Sequence, residues 1–122
     1  MADASKDQQA QSPHSYIYLY PNENLATALV SPVLDVSNYH SWSHIMLTAL
    51  SAKDKIEFVL GTVIQPNKID SSFASWYHCN SMVVSWLVHS VSPSIRQSIL
   101  WMDLASAIWS DLHNHFSQGD RS

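Results

Sequence analysis

Histidines are the first candidates for chemistry. His40 and His44 stand four residues apart, a spacing that sets two imidazoles on one helix face, as in the His-Glu-x-x-His zinc motif. Position 41 is Ser41, so the general-base glutamate is missing. No third ligand follows at a fixed spacing, whereas a zinc site needs three or four. His113 and His115 fall in the last turn of the final helical pattern, where side chains that can carry positive charge interact favourably with the helix dipole. His78 and Cys79 are adjacent; neighbours on a helix project about 100° apart, so they do not form a nucleophile–base pair, and Cys79 reads as a packing residue. Two glycines in the whole chain leave no phosphate-cradling loop, and nothing resembles a nucleophile elbow. These residues predict no enzyme, no metal, no cofactor and no small-molecule substrate.

The five tryptophans are more informative. Trp42, Trp76 and Trp109 recur with apolar neighbours at helical spacing and are expected to face the core. With Tyr39, Leu87 and Leu112 they make up the expected packing motif. Trp86 sits off the main apolar stripe of its helix, and Trp101 belongs to a loop-adjacent Trp-Met pair. Both are candidates for interface anchors, since tryptophan is enriched at contact hot spots.

The elements that must position these residues are helical. Residues 1–15 are polar, without apolar periodicity, and read as a disordered tail. An extended arm is expected over 16–36. It contains the Tyr-Ile-Tyr-Leu-Tyr run at 16–20, stopped by Pro21, and a second apolar run at 29–34, where Pro32 keeps Ser31 out of the helical region. Ser37 or Asn38 caps a first helix carrying Tyr39, Trp42, Met46, Ala49 and Leu50, which ends near residues 51–52. Residues 55–60 form either a short helix or an extended turn, closed by Gly61. Asp70, Ser71 or Ser72 caps the next helix, with a stripe of Phe73, Trp76, Tyr77, Val83, Val84, Leu87 and Val88. Ser92-Pro93 is a start signal for a helix to about Trp101, with Ile95, Ile99 and Leu100 inward. Asp103 can cap a last helix carrying Leu104, Ala107, Ile108, Leu112 and either His115 or Phe116, stopped by Gly119. The expected fold is all-α: a small bundle of four to five helices with an extended N-terminal arm, one domain over 16–120 and two trailing residues at 121–122.

Composition narrows the function. In 122 residues, 46% are apolar and only 13% charged, about half the usual charged share. Such a surface suits an assembly protein. Net charge is −4, and the six Lys and Arg are scattered, so strong nucleic-acid binding is not expected. One cysteine excludes an internal disulfide and fits a reducing compartment, the cytoplasm or nucleus. The N-terminus lacks a signal-peptide h-region, and no apolar run approaches a membrane span.

Several blocks in order resemble the N-terminal part of plant copia-type retrotransposon Gag polyproteins. They are residues 29–34 leading into Asn38-Tyr39-His40-Ser41-Trp42-Ser43, then 46–55, 58–62, 76–83, Ser85-Trp86-Leu87, Ser92-Pro93, 107–112 and 116–120. Together they span roughly residues 24–120. The resemblance implies a structural protein whose copies assemble around the element's RNA, with self or other copia-type Gag chains as partners. It also implies a downstream zinc knuckle, and the single cysteine cannot supply one. The expectation is therefore a truncated Gag piece acting by protein–protein contact. The alternatives are a host-retained remnant that acts as a decoy of Gag assembly, and a weak nucleic-acid-binding module.

Overall fold

The computed structural model describes residues 27–118. The expected tail at 1–15, the run at 16–20 and the stop at Gly119 lie outside the described residues. Within them the chain forms five helices and no strand, as the periodicity predicts: α1 (Tyr39–Ala52), α2 (Glu57–Leu60), α3 (Phe73–His89), α4 (Pro93–Ile99) and α5 (Ala105–Phe116).

α1 begins after Asn38, but the Asn38 side chain does not cap it. It folds backward, with Oδ1 accepting from Asp35 N at 2.8 Å and Nδ2 donating to Val33 O at 3.0 Å. The helix buries Tyr39, Trp42, Met46 and Leu50, one residue per turn along one stripe. At its end Asp54 takes a left-handed φ of 59°. Asp54 N donates to Ser51 O and Lys55 N to Leu50 O, the paired bonds of a Schellman stop. Lys55 thereby occupies the position whose side chain packs back on the helix, and it is fully buried. Residues 57–60 take the helical alternative, ended by Gly61 at φ 76°.

The apolar run at 29–34 is bent through residues 29–32 rather than extended. Its last residue, Leu34, forms an isolated parallel bridge with Val91. Leu34 N donates to Ser90 O and Ser92 N to Leu34 O, both at 2.9 Å. The Ser90 carbonyl also accepts from Trp42 Nε1 at 2.9 Å, and the Ser90 hydroxyl accepts from Leu29 N at 2.9 Å. The fully buried Ser90 thus ties the entering segment, α1 and the end of α3 together. Arg96 Nε donates to Val88 O at 2.9 Å and satisfies one of the carbonyls orphaned at the end of α3.

α4 starts as Ser92-Pro93 predicts: the Ser92 hydroxyl accepts from Ile95 N at 3.4 Å. It stops at Ile99, two residues short of the expected end, and Leu100 is half exposed rather than inward. α5 packs on α2 and α3 and buries Ala105, Ile108 and Leu112. Asp103 does not cap it. The cap comes from α3, where Asn80 Oδ1 accepts from Ala105 N at 3.0 Å and Asn80 Nδ2 donates to Asp103 O at 2.7 Å. One buried amide therefore satisfies a donor and an acceptor at the start of another helix.

Candidate functional site

α3 supplies one wall of the candidate site. Its buried face runs through Trp76, Cys79, Asn80, Met82, Val83, Trp86 and Leu87. The stripe read from sequence lies partly to one side of that face. Tyr77, from that stripe, is 54% exposed, and Val84 and Val88 are only half-buried. Trp86, assigned above as an interface anchor, is instead in the core at 1% exposure. Its position, three residues after Val83 and seven after Cys79, places it on the inner face. The Lys53 ammonium lies 5.3 Å from its ring centroid, a cation–π contact. Buried this way, Trp86 has no area to offer a partner of the intact fold.

α3 therefore carries apolar residues on two faces, the buried one and a second, mixed one where Tyr77, Val84 and Val88 stand among Ser81, Ser85 and His89. The second lines an open groove of about 450 Å³, walled by Tyr77, Ser81, Val84, Ser85, Val88 and His89 on one side and by Leu100, Met102 and Asp103 on the other. Trp101 stands between two of those lining residues and is 85% exposed. Leu104, the residue after Asp103, is partly exposed as well. The early end of α4 and the Asn80 cap on α5 together hold the 100–104 connection in place. His89 Nδ1 donates to Ser85 O at 2.8 Å, so this imidazole is engaged along its own helix at the groove wall.

The other expected packing residues belong to the same core as Trp86. Trp42 is buried and stacks on Trp109, with ring centroids 5.6 Å apart and planes inclined at 26°. Tyr39 sits edge-on to His113 at 5.9 Å, and its hydroxyl lies 3.3 Å from His113 Nδ1. Burial raises the Tyr39 pKa, and a hydrogen bond with Ser43 partly offsets this. Trp76, Leu87 and Leu112 are buried, and Trp109 is partly buried.

The structure brings none of the candidate reactive groups into a constellation. His40 and His44 are both exposed on α1, and among the described residues no three His, Cys, Asp or Glu side chains are grouped to hold a metal. His78 points outward while its neighbour Cys79 is fully buried. Burial pushes the Cys79 thiol pKa up, with the Lys55 charge opposing. That is the reverse of what a nucleophilic thiolate requires. His115 is used locally, with Nδ1 donating to Asp111 O at 2.8 Å.

Two features escape a reading by residue type. Lys55 is one of the scattered basic residues by sequence, and it is buried because it stands three residues past Ala52, at the position that packs back in a Schellman stop. Asn80 appears in sequence as a polar interruption of a helix; only the arrival of α5 gives it a role.

No helix among the described residues is long and apolar enough to cross a membrane. No curated protein and no solved structure matches the chain. Residues 20–67 match the family of the Gag-polypeptide of LTR copia-type, a span that includes α1 and α2 and ends before α3 and the groove.

Proposed function

We propose, from the copia-type Gag segment at residues 20–67, that this protein is a structural, non-catalytic helical domain. It works by contact with copies of itself or with other copia-type Gag chains. Gag polypeptides are structural proteins, and the molecule has the surface such work needs. The observation that carries the reading is the face around Trp101. Trp101 is 85% exposed, next in sequence to the half-exposed Leu100 that shares a groove with Tyr77, and exposed apolar side chains of this kind mark interaction sites. The chain has few charges with which to keep that face apart from others.

Basic residues argue in the same direction. Lys55 is buried, Lys53 lies over Trp86, and Arg96 is bonded to the end of α3. Half of the six Lys and Arg are thus committed inside the fold, which weakens any phosphate-binding face. Residence in the cytoplasm or nucleus suits a chain whose single thiol is buried and reduced.

The test is light scattering after size-exclusion chromatography over a concentration series, paired with binding of the chain to immobilised full-length copia-type Gag. Association that grows with concentration, or saturable capture by Gag, is expected. A chain that stays monomeric and shows no affinity for Gag would sink the reading.

A further inference from the structure

We propose that the groove is the receptor for Trp101 of a second copy, so that two chains pair about a two-fold axis with each indole seated in the other's groove. The proposal rests on the association reading above and specifies its geometry.

The first argument is adjacency. Leu100 and Met102 line the groove, and Trp101 between them is 85% exposed. A projecting knob beside a groove roomy enough to admit it can make a self-complementary patch. Such a patch closes on itself through a two-fold, in which residue i meets j and j meets i. The second argument is size. The groove holds about 450 Å³, room for one indole ring with the half-buried Val84 and Val88 among its walls. The third is area. Two indoles at roughly 150–250 Å² each, with about as much groove wall covered by them, bury roughly 600–1,000 Å² in total. The top of that range reaches the lower limit for a specific interface, about 1,000 Å², which predicts a weak, reversible dimer rather than an obligate one. The fourth is polarity. Ser81, Ser85, His89 and Asp103 ring the apolar wall, so an indole N–H entering the groove finds oxygen acceptors at its rim.

The experiment uses the full chain and two variants at exposed positions, Trp101→Ala and Ser81→Glu. The first removes the knob and leaves the groove; the second places a carboxylate in the groove and leaves the knob. Both residues are exposed, so both variants should keep the wild-type circular dichroism and melting profile. Sedimentation equilibrium on the wild type should show a monomer–dimer equilibrium. Each seated Trp should contribute roughly 30-fold, so either variant alone should dissociate roughly 10³-fold more readily. Mixed in equal amounts, the two variants keep one intact knob and one intact groove. The mixed pair should associate roughly 30-fold more tightly than either variant with itself. A Trp–Trp contact on the axis does not predict that recovery; a head-to-tail arrangement does, but its wild type grows beyond the dimer in sedimentation equilibrium, which would overturn the two-fold pair.

A wild type that dimerises, with W101A unimpaired or with no recovery on mixing, overturns the geometry and leaves the association reading standing. A monomeric wild type whose capture by full-length Gag is lost in W101A assigns the groove to a different chain and overturns the two-fold pair. Nuclear Overhauser contacts between groove methyls and the chain's own residues 16–20 that persist on dilution would also overturn it.

Discussion

Asn80 joins two helices through a single side chain. Its amide oxygen accepts the Ala105 N–H in a buried bond, and its amide nitrogen donates to the Asp103 carbonyl in a partly buried one. Asn80→Ala removes both bonds and leaves a buried donor and an acceptor unmatched, a loss of about 2–3 kcal/mol. Urea denaturation monitored by tryptophan fluorescence reads this directly, and a loss under about 0.5 kcal/mol would contradict the cap. Cys79 and Tyr39 give a second prediction. Burial raises both pKa values, so the folded chain holds these protons more tightly than the unfolded chain does. Stability from both groups is fully present below their ordinary values and is lost as pH rises through the raised folded ones. The melting temperature should therefore fall as pH rises above about 9. At pH 8 a thiol reagent should label Cys79 slowly in the native protein and promptly in denaturant; fast native labelling would show that the site opens. Sequence gives Cys79 its packing role by excluding a dyad with His78, but it cannot assign Asn80, because the partner atoms lie 23 and 25 residues further along the chain.

Helix positions were legible wherever a local signal set them. Ser92-Pro93 marks the start of α4, Gly61 the end of α2, and the periodicity from Tyr39 to Leu50 the course of α1. The rotation of α3 was not legible, for a physical reason: Tyr77, Val84 and Val88 are as apolar as the residues that reach the core. Periodicity finds a helix but cannot rank two apolar faces of it. Trp86 therefore reads as off the stripe by sequence, although Cys79 and Met82, buried beside it on the inner face, share its side of the helix. Gly61 offers an element-scale test. Its φ of 76° is left-handed, and an added Cβ would meet nothing closer than Ser106 Cβ at 3.8 Å. Gly61→Ala should therefore destabilise by backbone strain alone, by about 1–2 kcal/mol. Equilibrium unfolding measures it, and an unchanged midpoint would mean that the turn relaxes.

At the scale of the molecule, charge is sparse, and three of the four basic groups among the described residues are engaged within the fold. The isolated protein should bind single-stranded RNA only weakly. Fluorescence anisotropy at 50 and 200 mM salt should show little binding and a shallow salt dependence; a tight complex with a steep slope would reveal a phosphate-binding face. The Ser90 junction bears on the family match in another way. Leu29 bonds a side chain 61 residues away, and Leu34 bonds Ser90 and Ser92, whereas the Gag-matched stretch ends at residue 67. The matched stretch therefore takes part of its anchoring from residues beyond its end. On the ribosome these anchors wait for roughly 60 more residues, a delay of roughly 3–12 s at ordinary elongation rates. During that interval Trp42 has no carbonyl for its indole N–H, and the nascent chain presents its apolar stripe to whatever chaperone attends the exit tunnel.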